Sequence, residues 1–134
     1  MILVGTNVWS EMVSRNGEPG VIAWLADNDE RLLLSVLVIA EIRAGFEKPS
    51  ARSFRPRLER WLAQLETDYA DRIVPFDRHD AHVFGQLAAQ RTLGGNTLDA
   101  QIAAQAIVRN IPVATRNTAD FAWTGVRLIN PWQD

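Results

Sequence analysis

Short unbroken apolar runs alternate along this chain with longer stretches whose apolar residues recur every three or four positions. The first kind suits strands covered on both faces, the second amphipathic helices. Ile2–Val4 opens the series as a strand, and a helix is expected over residues 8–14, capped by Thr6 or Asn7. Asn16 and Gly17 interrupt it. Pro19 suits the first turn of a second helix, whose apolar face carries Val21, Ile22, Trp24 and Leu25. Residues 32–34 read as a second buried strand, and Ser35 caps a very apolar helix over 36–45. Beyond Lys48, Pro49 and Ser50, an amphipathic helix over 53–69 places Leu58, Trp61, Leu62 and Leu65 on one face. A third strand follows over 72–76. Asp77 and Asp80 have the spacing of a capping box, opening a helix that runs to Leu93 and stops at Gly94 and Gly95. Asn96 caps the next helix, to Asn110. Residues 112–115 read as a fourth strand, 117–121 as a short helix and 127–129 as a fifth strand.

Strands that alternate with helices in this way make a parallel sheet flanked by helices, an α/β fold. In such sheets the ligand crevice lies beyond the carboxyl ends of the strands. Gly5 ends the first strand and Thr115 ends the fourth. The segments that follow them are therefore expected to open onto one crevice.

Composition narrows the function classes. The 134 residues are enough for one domain, 1–134, with a core of its own. Hydrophobic residues make up 47% and charged residues 22%, ordinary values for a soluble globular protein. There is no cysteine, which excludes a disulfide framework and thiolate chemistry. No apolar run approaches the ~20 residues of a membrane span, and the first apolar stretch lacks the basic leader of a signal peptide. A cytoplasmic location is expected, with no membrane partner. The net charge is -2, so a nucleic-acid partner would need a local basic patch or metal ions.

Three carboxylates are out of place. Glu41 has Leu37, Val38, Ala44 and Gly45 at three and four positions along its helix. An acid on such a stripe needs a partner, either a metal or an arginine such as Arg43 or Arg116. Asp99 sits in the first turn of its helix, where it pairs in spacing with Asn96 as a cap partner or faces the crevice. Asp120 stands in the same relation to Asn117. Taken singly, each of these two is more simply structural. Taken together, three acids converging on one crevice would repel each other unless a cation held them. Hard oxygen donors point to Mg²⁺ or Mn²⁺. His79 and His82 lie one helical turn apart and read as a surface pair. The tryptophans, among them Trp9, Trp24 and Trp61, read as core or interface anchors.

The stretches MILVGTNVWSE, SVLVIAEIRAG, GNTLDAQIAA and VATRNTADF carry a resemblance. In order and spacing the chain resembles, from end to end, the PIN-domain family, specifically the VapC-like ribonuclease toxins of type II toxin–antitoxin systems. The resemblance implies a small three-layer α/β/α domain with a parallel sheet of four to five strands. It implies a Mg²⁺-dependent endoribonuclease that cuts RNA, forms homodimers and is blocked by a cognate antitoxin. It assigns Glu41, Asp99 and Asp120 to the second, third and fourth acids of the metal site, with Thr6, Asn7 and Asn117 in support. The first acid is missing: where the family has Asp-Thr-Asn, this chain has Gly5, Thr6 and Asn7. Gly5 thus marks a vacancy among the catalytic metal ligands, and activity is expected to be lost or strongly impaired. A different class remains open, a non-catalytic dimeric module that grips an antitoxin or another protein, with the helices around Trp9 and Trp24 as its groove.

Overall fold

The computed structural model describes residues 1–133. Its five strands are β1 (Ile2–Val4), β2 (Leu32–Ser35), β3 (Ile73–Val74), β4 (Val113–Ala114) and β5 (Leu128–Ile129). They form one sheet in the order β3-β2-β1-β4-β5, every pair parallel. Seven helices connect them: α1 (Thr6–Trp9), α2 (Pro19–Asp27), α3 (Val36–Glu47), α4 (Arg55–Asp68), α5 (Arg78–Ala88), α6 (Thr97–Arg109) and α7 (Thr118–Ala122). The expected α/β fold with a parallel sheet is therefore what the chain adopts.

The strand order has a functional consequence. From β1 the chain steps outward to β2 and β3, then returns to the other side of β1 for β4 and β5. Right-handed crossovers put α1–α4 on one face and α5–α7 on the other. Helix packing follows that division, α3 lying on α4 and α5 on α6 on α7. The direction of winding reverses between β1 and β4, and a crevice opens there because adjacent connections leave on opposite faces. Gly5 and Thr115 flank that point.

The elements form for reasons visible locally. Ile2, Leu3 and Val4 are all buried, as a central strand covered on both faces requires. Ser35 caps α3 by accepting from the Leu37 N–H at 3.0 Å. Asp77 and Asp80 make the expected capping box on α5. Asn110, at φ 55, ends α6 in the left-handed conformation that asparagine tolerates better than most residues. Pro19 occupies the first turn of α2.

Boundaries differ from the sequence reading where a cap was assigned to the wrong residue. The first helix begins at Thr6, with Gly5 itself in the capping position and no side-chain cap. It lasts one turn and then tightens into a 3₁₀ turn over Ser10–Met12. Helix α5 stops at Ala88, short of the glycine pair. Asn96 precedes α6 but makes no side-chain cap.

Two buried polar clusters lock the layers. The Gln105 amide, wholly buried in α6, accepts from the Ser35 hydroxyl at 2.6 Å. It donates to the carbonyls of Val74 and Pro75 at 3.3 and 2.9 Å. One side chain thereby satisfies the end of β3 and the cap of α3. Asp80, also fully buried, takes a two-pronged grip from Arg109, with Nη1 to Oδ1 at 2.6 Å and Nη2 to Oδ2 at 3.3 Å. The apolar core centres on Trp9, whose ring meets Tyr69 edge-on at 5.0 Å.

Candidate active site

A pocket of about 230 Å³ opens beyond the carboxyl ends of β1 and β4. Gly5, Thr6, Asn7, Glu41, Asp99, Ile102, Thr115, Asn117 and Phe121 line it, so five segments meet there: α1, α3, α6, α7 and the loop after β4. Parallel strands bring this about: β1 and β4 pair in register from Leu3 with Val113 to Val4 with Ala114, so their following residues emerge side by side. Asn7 then crosses to the β4 loop, donating to Thr115 Oγ1 at 3.5 Å and accepting from the Arg116 N–H at 3.4 Å. Thr115 Oγ1 also accepts from the Asn117 N–H at 3.1 Å.

Glu41 and Asp99 face this pocket from opposite layers, Glu41 from the second turn of α3 and Asp99 from the first turn of α6. Glu41 is exposed, not sunk in an apolar stripe: the buried residues of α3 are Val38, Ile42 and Phe46, one position round the helix. Among the described residues, neither Glu41, Asp99 nor Asp120 makes an ion pair. Arg43 lies over the Phe46 ring and Arg116 over the Trp132 ring. Neither Asn96 nor Asn117 caps its helix through its side chain, so no capping box engages Asp99 or Asp120. Thr6 Oγ1 is buried without a hydrogen-bond partner.

Asp120 stands apart. It does not line the pocket, and among the described residues no three acids or histidines close on one point. Its charge still reaches Asp99. Burial first, then Asp120, then Glu41 push the Asp99 carboxyl from an ordinary 3.8 up to about 6. No arginine offsets this. The sign follows directly. The folded protein holds the Asp99 proton more tightly than the unfolded chain, so stability falls as pH rises from about 4 through about 6. In chelator, Asp99→Asn should therefore raise the melting temperature at pH 7.5 and leave it nearly unchanged near pH 4. Melting curves across that range check this, and a shift that does not depend on pH would refute it.

Gly5 has φ -75 and ψ 162, ordinary extended backbone open to any L residue. A Cβ there would lie 3.7 Å from Asn7 Oδ1 and from Thr115 Cβ, and 3.1 Å from the Ala114 carbonyl oxygen. Only the last contact is tight: the Ala114 carbonyl, which accepts from the Gly5 N–H at 2.8 Å, would have to give by a few tenths of an ångström. The backbone dihedrals give no reason for glycine at this position.

The sequence reading missed Thr115, which organises the pocket floor. Its signal was its place, directly after β4 as Gly5 is directly after β1. Of the readings open for Trp9, core anchor or wall of a groove, the structure shows the core: it is fully buried. His79 and His82 are both exposed, as expected of a surface pair.

An all-parallel α/β domain with an acidic pocket at its switch point is the class that fold and site define. The PIN-domain profile matches residues 2–124, and the chain belongs to the PIN-domain family. It is 35% identical to the VapC ribonuclease Y4jK of Sinorhizobium fredii, covering 99% of both chains. To Toxin FitB of Neisseria gonorrhoeae it is 34% identical, covering 100% of both. The structure of FitAB bound to an IR36 DNA fragment contains a chain that superposes with TM-score 0.82 at 32% identity, over 100% of this chain and 97% of that one. The fold alone is shared with VapBC-5 of Mycobacterium tuberculosis, a member of the VapBC family of toxin-antitoxin systems, at TM-score 0.67 and 22% identity over 96% of each chain.

Proposed function

We propose that this chain is a VapC-like endoribonuclease toxin of a type II toxin–antitoxin system, dependent on Mg²⁺ or Mn²⁺ and disabled by Gly5. The observation that carries this reading is the pairing of Glu41 and Asp99 across the switch-point pocket, unneutralised by any arginine. The donors suit a hard cation: two free carboxylates, the orphaned Thr6 hydroxyl and the side-chain oxygens of Asn7 and Asn117. Glu41 and Asp99 would hold the ion, with Asp120 near enough to add charge. When bound, such an ion supplies charge for the phosphate oxygens and activates water. Asn7 and Asn117 hold the strand-end loops in place around it, and Phe121 and Ile102 close the apolar side.

What the pocket lacks is an acid at position 5. The ordinary backbone there and the nearness of a built Cβ to Asn7 favour loss of a ligand over a structural glycine. The glycine equally favours a second reading, a dimeric module that binds a protein partner without cutting RNA. Cleavage separates the two. In a Gly5→Asp background, Mg²⁺-dependent cutting of single-stranded RNA should appear and Glu41→Gln should abolish it. No cutting in the Gly5→Asp form would leave the binding reading standing.

In the toxin reading the protein works as a homodimer, and it is silenced by a cognate antitoxin, the second of which the toxin names among its relatives support. The expected sedimentation at micromolar concentration is that of a dimer; a monomer throughout would count against the dimer.

A further inference from the structure

Two arginine–tryptophan stacks stand on segments that also supply residues to the acidic pocket. Arg116 lies immediately after Thr115, and its guanidinium sits 5.2 Å from the Trp132 ring centroid. Trp132 follows β5, whose Ile129 carbonyl accepts from the Thr115 N–H at 2.9 Å, so both belong to the carboxyl edge of the sheet. Arg91 lies 4.9 Å over the ring of Trp123. Trp123 ends α7, and its indole N–H donates to the Asp120 carbonyl at 3.1 Å. The second stack therefore lies at the end of α7, whose Phe121 lines the pocket. Both arginines are exposed, both tryptophans half-buried. Among the described residues neither arginine has a carboxylate partner. Neither reaches deep enough to lower the Asp99 pKa.

We propose that Arg91 and Arg116, each laid flat on a tryptophan, are RNA-positioning residues that grip the sugar–phosphate backbone of a single strand on two sides of the pocket. The inference rests on the nuclease reading of that pocket. With a net charge of -2 and acids at the pocket, the protein cannot hold a polyanion by its overall field. It needs cations at the rim that are not already paired. A guanidinium stacked on an indole keeps its forked N–H donors free and loses less freedom when it binds a phosphate. Its outer face is also a platform for an unpaired base, which a duplex does not present. Arg43 is excluded: it lies two residues from Glu41 on α3, turned away onto Phe46.

The test uses the chain as it exists, in Mg²⁺, with a short unstructured single-stranded RNA carrying fluorescein, read by anisotropy over a range of salt. Arg91→Gln and Arg116→Gln should each weaken binding roughly tenfold. Each should also lower the slope of log K against log salt by about 0.7. Arg116→Lys should keep the slope and still lose affinity, because an ammonium does not lie flat on the ring. Arg127→Gln, at the opposite edge of the sheet beside Asn110, should leave the slope unchanged. Binding by the unaltered chain with slopes that ignore Arg91 and Arg116 would overturn this inference alone. A loss of slope as large for Arg127→Gln, or a duplex bound as tightly as the single strand, would also overturn it. No RNA binding by the unaltered chain would overturn the nuclease reading and this inference with it.

Discussion

Gly5→Asp should raise Mg²⁺-dependent RNA cleavage by roughly 10²–10³, the usual worth of one well-placed electrostatic group in a reacting site. The geometry supports the size of the effect. The residue ends the central strand of the sheet, where backbone position is fixed by pairing on both sides. A carboxylate built there is aimed by the sheet and not by a loop. Its entry needs no change of backbone conformation, but the Ala114 carbonyl must give by a few tenths of an ångström. Stability should move in the opposite direction. The new acid joins Asp99, whose carboxyl is already pushed up by burial, Asp120 and Glu41, so the Gly5→Asp form should melt lower in chelator. It should then gain more than the Gly5 form when Mg²⁺ is added, since an ion that binds only the folded state stabilises it. The measurements are cleavage of single-stranded RNA and melting with Mg²⁺ and with chelator. Equal cleavage and equal metal-induced shifts in the two forms would mean that position 5 is not a ligand position.

The second large effect lies far from the pocket. Asp80→Ala should cost about 3 kcal/mol of stability, the lower end of what breaking a buried ion pair typically removes. Asp80 is fully buried, and its loss strands the Arg109 guanidinium and the Asp77 N–H, which Asp80 Oδ2 accepts at 2.8 Å. Arg109 retains the Gln105 carbonyl at 2.8 Å, which keeps the cost from the upper end. Replacing both partners, Asp80→Leu with Arg109→Met, should recover much of the loss, because a vacated ion pair costs more than an apolar one. Urea unfolding followed by tryptophan fluorescence measures both. A cost below about 1 kcal/mol for Asp80→Ala would show that the pair contributes little beyond a surface bridge.

The order of elements was legible because it is written locally. Unbroken apolar runs marked the strands, and the Asp77–Asp80 spacing marked a cap that the structure makes. The meeting of the β1 and β4 ends was legible too, since an alternating α/β chain forces ligands to strand ends. What stayed hidden depends on partners distant in sequence. Arg109 reads as a basic residue ending a helix, and nothing in its neighbourhood names Asp80. Gln105 carried a faint signal, a polar residue among buried Ile102, Ala103, Ala104 and Ala106. Its three hydrogen bonds could not be inferred from that. Glu41 was noticed for a reason that proved inexact: the apolar stripe of α3 runs beside it, and small residues Ala44 and Gly45 are exposed. Asp120 shows the same limit from the other side. A motif fixes that an acid follows a strand, but the tilt of a five-residue helix decides whether its carboxylate turns into the crevice. The pairing of Arg116 with Trp132 arises only because β4 and β5 end at one edge.

The relaxed backbone at position 5 also bears on heredity. A glycine forced by a left-handed turn would be locked in place, since any replacement would damage the fold before it altered chemistry. Here the exchange asks for no change of backbone conformation, only for the Ala114 carbonyl to give by a few tenths of an ångström. Aspartate and glycine codons can be one base apart, so in the toxin reading a cell harmed by the active form would need only a point mutation to escape it. In the toxin reading, one exchange at position 5 would then separate the silent form from the active one, with no change of backbone conformation.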